Sequence, residues 1–473
     1  MVLQTVDVGR LSVSEYDGVA PASLLDALEA VARPLRGVRI LHLNATPYGG
    51  GVSELLRSAV PVLRGLGIEA DWRIISGDPA FFDATKRIHN ALQGAPEGVT
   101  PAHWAHYEAT ARQNAAQLRA DAYDVVFVHD PQPAALPAIA GRGRSRWIWR
   151  CHIDTSAPEP AAWQRLSGFL DRYDAAVFTM PEFVPARIPV PRVDLIPPAI
   201  DPLSPKNRKL PTPLASDVLN WIGIDVDLPL MTQVSRFDPW KDPMGVIETY
   251  RRVRDLVPGL QLAMVGSMAL DDPQGWKVYR DIAAHAVDDP AIHLFTNLTG
   301  VGNIEVNAFQ AESDVVVQKS IREGFGLVVS EAMWKGTPVV AGDTGGIPLQ
   351  TADGAGGILV DSVEECAAAV AALLADPARG AGIARAGRER VRSHFLLPRL
   401  ILDDLALVRD LLEGHPVRTG VGRDPVCGMT LTEPTGVTAD EAGAVVTFCS
   451  RRCRAIYERS RPVEPTALRP HHR

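Results

Sequence analysis

The sequence predicts an α/β protein: two doubly wound domains of similar size facing a cleft, followed by a small cysteine-containing module. Three observations carry that prediction. Short apolar runs of strand length alternate with helical stretches over residues 37–200, and again over 214–395. A segment rich in Pro, Lys and Asn, 201–213, separates the two series and reads as a linker. From Gly420 onward the character of the chain changes, and three of its five cysteines (Cys427, Cys449 and Cys453) fall there.

In chain order, residues 1–36 form an N-terminal extension with one amphipathic helix over Ala22–Val31. Val38–Leu43 is the first convincing strand. It runs into Asn44-Ala-Thr-Pro-Tyr-Gly49-Gly50-Gly51 and a helix over Val52–Leu66. Three adjacent glycines allow a ligand to approach the backbone closely, but no Gly-Lys-Ser/Thr follows and the spacing is not that of a dinucleotide fingerprint. Alone, the loop reads equally as a flexible turn or a ligand loop. Further strands are expected at Ala70–Ile75, Val125–His129, Trp147–Cys151, Ala175–Phe178 and Val193–Ile196. Several end in polar residues, notably His129-Asp130 and His152-Ile-Asp154. Strand C-terminal ends are where such sheets place chemistry, so Asp130 and His152 are candidates, each weighed against a plain capping or turn role.

The second series is expected to start with strands Leu230–Ser235, Leu260–Val265 and Ile292–Phe295. A strand over Ser313–Val317, a helix over Leu327–Lys335 and a strand over Thr337–Gly342 then form one unit, followed by strand Gly357–Val360 and helices Val363–Leu374 and Gly382–His394. A last helix, Leu400–Leu412 within 396–415, is expected to pack back on the junction.

The unit around residue 323 carries the clearest chemistry. A Gly-rich turn, Glu323-Gly324-Phe325-Gly326, feeds the helix that begins at Leu327 and Val328. Free N–H groups and the helix dipole favour an anion there. Glu323 and Glu331, eight residues apart, can both face the crevice and accept sugar hydroxyls. The loop after the first strand of this half, Ser235-Arg236-Phe-Asp-Pro-Trp-Lys241, puts two cations at a strand end. Such a pair is most often a solvated surface feature, yet beside an anion-binding turn it fits phosphate: a fork from arginine, a point charge from lysine. Phosphate-binding backbone flanked by carboxylates reads as a nucleotide-sugar site.

Composition excludes other classes. A net charge of −8 argues against nucleic acid and anionic membranes, and no run approaches the roughly 20 apolar residues of a membrane span. The first residues lack the basic and apolar regions of a signal peptide, and five cysteines in 473 residues are too few for a disulfide scaffold. A cytoplasmic enzyme is the expectation.

Glu323 and Glu331 with Arg236 and Lys241 resemble the retaining glycosyltransferases of the GT-B fold, family 4, in which two Rossmann-like domains face a cleft. Over about residues 38–400 the likeness narrows. Asn44–Glu54, Phe81–Gly94, His129–Pro133, Ser235–Pro243 and Gln318–Gly326 look like the trehalose glycosyltransferring synthases. This resemblance implies transfer of glucose from an NDP-glucose to free glucose, giving α,α-trehalose, with no cofactor required. Carried over, Arg236 and Lys241 hold the diphosphate, helped by the backbone of Gly49, Gly50, Gly51 and of Gly324, Phe325, Gly326, Leu327 and Val328. Glu331 takes the ribose and Glu323 the transferred glucose; His152 stands at the reacting face; Asn44, Asp130 and Gln132 meet the acceptor. Expected partners are those two sugars, with a homodimer as the candidate assembly. The alternatives are a trehalose phosphorylase, a family-4 enzyme with another acceptor, and a metal-sensing protein on a non-catalytic scaffold.

The tail departs from that pattern. Asp424-Pro-Val-Cys427-Gly-Met429 with Phe448-Cys449-Ser-Arg-Arg-Cys453 resembles the small YHS-type modules of heavy-metal transport proteins, over 420–462, with 463–473 a flexible end. Three thiolates suit a soft ion such as Cu(I) or Zn(II), a fourth ligand coming from the His471-His472 pair. Inert thiols in a small ββα unit are the alternative.

Overall fold

The structure is a computed structural model that describes every residue except 1–2, 49, 97, 212, 269–272, 415–421, 442–443 and 461–473. Its first sheet has seven strands: β1 (Gln4–Thr5), β2 (Arg39–Asn44), β3 (Glu69–Ile74), β4 (Val125–His129), β5 (Arg146–Arg150), β6 (Ala175–Phe178) and β7 (Val193–Leu195), ordered β1-β3-β2-β4-β5-β6-β7. All pairs are parallel except β1 with β3. The second sheet is wholly parallel: β8 (Leu230–Arg236), β9 (Gln261–Ser267), β10 (Ile292–Thr296), β11 (Val315–Gln318), β12 (Val339–Gly342) and β13 (Gly357–Val360), ordered β10-β9-β8-β11-β12-β13.

Helices cover both faces of each sheet, as buried parallel strands require. Around the first lie α1 (Ala22–Ala32), α2 (Gly51–Gly65), α3 (Pro79–Leu92), α4 (Pro101–Ala115), α5 (Leu136–Ala140) and α6 (Pro160–Leu170). Around the second lie α7 (Leu214–Trp221), α8 (Pro243–Arg254), α9 (Pro273–Ala286), α10 (Asn303–Glu312), α11 (Leu327–Lys335), α12 (Ile347–Gln350), α13 (Val363–Ala375) and α14 (Pro377–His394). The central strands are fully buried, Val315, Val316 and Val317 of β11 among them. Each sheet reverses its strand order at one point, between β2 and β4 in the first and between β8 and β11 in the second. Ligands of doubly wound sheets bind in the crevice at such reversals.

Three features go beyond the sequence reading. Residues 3–36 are built into the first domain: β1 extends its sheet antiparallel to β3, and α1 packs against α15 (Leu397–Glu413). Helix α14 starts at Pro377, with the Asp376 carboxylate accepting from Arg379 N–H, rather than at Gly382. The 201–213 segment joins the sheets but is no free spacer. Asn307 Nδ2 donates to the Pro205 and Arg208 carbonyls, and Lys335 Nζ donates to Asn207 Oδ1 at 3.0 Å. Helix α15 ties back to the first domain. Its Asp404 pairs with Arg150 of β5, and Arg399 donates to the Pro197 and Pro198 carbonyls.

The C-terminal module consists of β14 (Gly422–Arg423) paired with β15 (Thr430–Leu431), β16 (Thr438–Glu441) paired with β17 (Ala444–Thr447), and α16 (Arg451–Ser460). Its Cys427, Met429, Phe448, Cys449 and Cys453 are buried in the same core as α14 and α15. It is therefore docked rather than appended.

Candidate active site

Between the two sheets the strand ends enclose a cavity of about 600 Å³. On the second-domain side, β11 ends at Gln318 and the turn that follows bends into α11 through Gly326, whose φ of +81° a side chain would strain. No side chain caps α11, so its first N–H groups, at Leu327 and Val328, are left uncapped beside the cavity that both residues line. The first domain repeats the arrangement: α2 starts at Gly51 after an extended Gly50, again without a side-chain cap. A Cβ added to Gly51 would stand 3.2 Å from Leu327 Cδ1. Two uncapped helix N-termini thus come together at the cleft, where both dipoles can act on one anion. Gly49 lies outside the described residues.

Lys241 and Glu323 meet here. Lys241 Nζ lies 2.6 Å from Glu323 Oε2, and the Ser320 hydroxyl donates to the same oxygen at 3.2 Å. The Lys241 carbonyl accepts from Gln233 Nε2 at 2.8 Å, which fixes its loop to the end of β8. Arg236, the last residue of β8, is half exposed and its Nη2 reaches Asp238 at 3.3 Å, leaving the guanidinium free to turn toward a ligand. Glu331, one turn further along α11, is buried and accepts from Gln310 Nε2 at 3.1 Å.

Lys206 completes that corner. Its Nζ reaches Glu54 of α2 at 2.8 Å and Glu331 of α11 at 3.6 Å, bridging the two domains. Burial opposes its charge, but the two carboxylates outweigh that and raise its pKa. Lys335 behind it is pulled down to about 7 by burial, with Glu331 acting against this.

The first domain contributes a chain of imidazoles. His152 Nε2 lies 3.0 Å from His129 Nδ1, and His129 Nε2 lies 3.1 Å from His42 Nδ1. Burial, then neighbouring positive charge, lowers the pKa of all three, so the chain is neutral near pH 7. Neutral imidazoles in line donate all in one sense or all in the other; the tautomer of His152, which lines the cavity, is set by His42 two links away. His42 Nε2 has no hydrogen-bond partner among the described residues, and it borders a second cavity of about 10 Å³ lined also by Arg150 and Asp404. That is room for about one water.

Asp130 adopts a left-handed φ of +64°, and its Oδ1 accepts from His152 N–H at 2.8 Å. Burial raises its carboxyl to about 7, against the N–H bond and Arg150. Asn44 is largely committed internally: its Oδ1 accepts from Trp72 Nε1 at 2.7 Å and its Nδ2 donates to the Thr46 carbonyl at 2.7 Å. Gln132 lines the cavity without a bond of that kind among the described residues.

The domains touch at the turn itself. A Cβ on Gly324 would stand 2.8 Å from the His152 carbonyl, and Arg322 Nε reaches Asp154 at 3.3 Å. All the site residues read from the sequence in the two domains therefore line one cavity, Gly49 apart. Sequence reasoning assigned no role to Lys206, His42 and His129, nor to Lys86, His89 and Asn90 of α3 and Gln93 just after it. His129 is visible as a polar residue at a strand end, and the α3 group as a polar stripe at helical spacing.

The module's cysteines lie together. Cys427 Sγ and Cys453 Sγ lie 3.5 and 3.6 Å from Cys449 Sγ, and with an Asp424 carboxylate oxygen these four atoms are all within 4.8 Å of one another. Zinc–sulfur bonds of about 2.3 Å in a tetrahedron put sulfurs about 3.8 Å apart, so the donor set fits such an ion with little movement. The fourth group within reach among the described residues is Asp424, whose carboxylate also accepts from the N–H groups of Val426, Cys427 and Cys449; the His471-His472 pair lies outside the described residues.

Comparison with known proteins agrees with this geometry. Residues 42–185 match the family described as trehalose synthase, N-terminal domain, and residues 220–390 match the glycosyl transferases group 1. The chain is 51% identical over 415 residues to a trehalose synthase of Rubrobacter xylanophilus, covering 87% of this chain and 100% of that one. It is 42% identical over 392 residues to a trehalose synthase of Pyrococcus horikoshii, covering 83% and 94%. A trehalose phosphorylase of Pleurotus pulmonarius is more distant, 30% identical over 412 residues and matched over 55% of its length, 75% of this chain. Among solved structures, a sucrose-phosphate synthase from Thermosynechococcus elongatus superposes with a TM-score of 0.63 at 18% identity, covering 80% of this chain and 100% of that one. OtsA, a trehalose-6-phosphate synthase, gives 0.64 at 13%, covering 78% and 99%. These structures establish the GT-B fold. With two family matches along the chain and relatives aligned over nearly their whole length, the chain belongs to the trehalose synthase family and is a glycosyltransferase.

Proposed function

We propose that the chain moves glucose from an NDP-glucose to the anomeric hydroxyl of free glucose, with retention, giving α,α-trehalose and NDP. The observation that carries this reading is the convergence of two uncapped helix N-termini, at Gly51 and Leu327, beside the Lys241–Glu323 pair. A diphosphate fits the first and a sugar hydroxyl fits the second. Lys241, Arg236 and the N–H groups of Leu327 and Val328 would take the charge that grows on the departing NDP. Glu331, held by Lys206 and Gln310, would accept the ribose hydroxyls. Glu323 would hold hydroxyls of the transferred glucose, and neutral His152 would stand at its reacting face without adding positive charge to an electron-poor anomeric carbon. Asp130, Gln132 and the remaining capacity of Asn44 would meet the acceptor. The bond from C1 to the phosphate oxygen breaks as the bond to the acceptor oxygen forms on the same face, and the acceptor proton passes to the leaving phosphate. The protein's part is positioning and charge stabilisation.

In the module, Cys427, Cys449, Cys453 and Asp424 would hold one thiophilic ion, which when bound supplies a cross-link between the two halves of the module.

Cleavage in reverse tests the donor. Trehalose incubated with NDP should yield NDP-glucose and glucose, whereas trehalose with inorganic phosphate should stay intact. Glucose 1-phosphate formed from phosphate alone would replace this reading with a phosphorylase.

A further inference from the structure

The thiol cluster lies two links from the glycine turn of the cleft, and both links are buried. Arg390 of α14 is the first. Its Nη1 donates to the Cys449 carbonyl at 3.2 Å, and its Nη2 lies 3.9 Å from Cys449 Sγ. The same guanidinium donates to the Leu349 carbonyl at 2.8 Å and, through Nε, to the Gln350 carbonyl at 2.9 Å. Gln350 is the second link. Its Nε2 donates to the carbonyls of Phe325 and Gly326, the second at 3.3 Å, and its Oε1 accepts from the Ser330 hydroxyl at 2.6 Å. Helix α12 is thus clamped between the cysteines on one side and the turn that opens α11 on the other.

The loop before α12 leaves no slack. A Cβ on Gly345 would fall 1.7 Å from the Glu323 carbonyl, and one on Gly346 2.9 Å from the Gly324 carbonyl. A shift of α12 therefore displaces the turn. The module is anchored on the same ground: Asp353, just beyond α12, accepts from the N–H groups of Arg451 and Arg452 at the start of α16, at 2.8 and 3.2 Å. It also grips the other domain, where Gly428 packs on the Leu195 carbonyl and Arg423 Nη2 reaches Asp403 of α15 at 3.2 Å.

We propose that a thiophilic ion bound by Cys427, Cys449, Cys453 and Asp424 tightens donor binding by holding Arg390, and through it α12 and the turn at Glu323–Gly326. An ion binds thiols as thiolates, with release of their protons to solvent, and leaves negative charge on the sulfur beside Arg390. A charge-assisted N–H···S contact then replaces a weak one, and the carbonyls of Leu349 and Gln350 are held with it. The coupling rests on the donor site assigned above and is reciprocal: donor must raise ion affinity by the factor by which ion raises donor affinity.

The test uses the full chain, reduced and stripped of metal by a chelator. Zn(II) and, anaerobically, Cu(I) are titrated against competing chromophoric chelators, with and without the NDP-glucose that binds. Donor affinity is measured by calorimetry with and without the ion. Expected are one ion per chain and a donor Kd lower by about fivefold or more in the loaded form, the lower end of ordinary coupling. Cys427→Ser should lose the ion and keep the metal-free donor Kd. Arg390→Met should keep the ion and lose the coupling; should that variant not fold, the reciprocal shift in ion affinity on the unaltered chain decides. No stoichiometric ion under reducing conditions, or a bound ion with donor Kd unchanged, overturns the proposal. Absence of donor binding in both arms overturns the donor-site reading and the coupling with it, a pattern distinct from donor binding indifferent to the ion.

Discussion

Replacing Lys241 by Met removes the ammonium from the cleft and keeps most of the stem. In the structure Nζ sits 2.6 Å from Glu323 Oε2, with the two side chains 14% and 11% exposed. After the change the Ser320 hydroxyl at 3.2 Å is the remaining polar contact of that carboxylate among the described residues. Removing one partner of a fully buried pair costs about 3–5 kcal/mol. Here the cleft admits water and Ser320 stays, so a loss of about 2 kcal/mol is expected, or about 4–8 °C in the melting temperature of a domain of this size. The kinetic effect is larger and has another origin. A preorganised charge facing the leaving diphosphate is worth about 10²–10³ in kcat. The two effects separate in a double-mutant cycle. Glu323→Gln added to Lys241→Met removes the unpaired carboxylate and should restore most of that roughly 2 kcal/mol of stability. It should not restore turnover, because the missing cation acts on the nucleotide. Melting curves and NDP release at saturating donor read the two sides. A Lys241→Met enzyme keeping more than roughly a tenth of kcat, where the charge argument requires a far larger loss, would refute the reasoning. So would a double variant that recovers rate along with stability.

Lys206→Met should weaken NDP binding about tenfold, a cost near 1.4 kcal/mol, because Glu331 loses the cation that orients it; an unchanged Kd by calorimetry contradicts this. Asp130→Asn should alter the pH profile of stability. Burial raises the folded-state pKa of Asp130 to about 7 from an ordinary 3.8, so folded protein holds a proton that unfolded chain releases, and its stability falls as pH rises through that window. The variant escapes this loss, by at most on the order of 4 kcal/mol at pH 8, and melting curves that stay parallel from pH 4.5 to 8 count against it. His129→Phe breaks the imidazole chain and should lower kcat about tenfold, the effect of one buried polar group left unpaired. His129→Gln, which can donate and accept, should retain more of the rate, and nitrogen-15 shifts of His152 should report mixed tautomers in the Phe variant alone.

Local signals carried far in this sequence, and long-range ones did not. Helix α11 was bounded correctly at Leu327 and Lys335 because left-handed glycines, Gly326 and Gly336, stand at both ends. The parallel strands of both sheets were found to within a residue or two, since buried parallel strands are unbroken apolar runs. The sequence reading starts α14 at Gly382, although Asp376-Pro377 is an ordinary N-cap followed by proline at the first turn. Strand β1, two exposed residues long, has no periodicity to detect. Lys206 was hidden by its neighbours. A Pro-rich stretch reads as solvated, and nothing local says that one lysine in it returns to a buried glutamate on α11. The histidine chain was hidden differently. His42 lies within β2, His129 ends β4 and His152 follows β5, and only adjacent parallel pairing aligns them. The module's cysteines were legible as a cluster from the four-residue spacing of Cys449 and Cys453. Their fourth companion, Asp424, was not, because its approach depends on bonds from the backbone N–H groups of Val426, Cys427 and Cys449.

The central claim, glucosyl transfer from NDP-glucose to glucose in this cleft, is tested most directly by watching the product's anomeric carbons. Glucose labelled with carbon-13 at C1 is incubated with the enzyme and each of UDP-, ADP- and GDP-glucose, and the NMR spectrum is followed with NDP release in parallel. The account predicts one α,α-linked non-reducing disaccharide, formed in step with NDP with at least one donor, and none with Glu323→Gln. NDP released without that product, a β-linked anomer, or full activity in Glu323→Gln would contradict it.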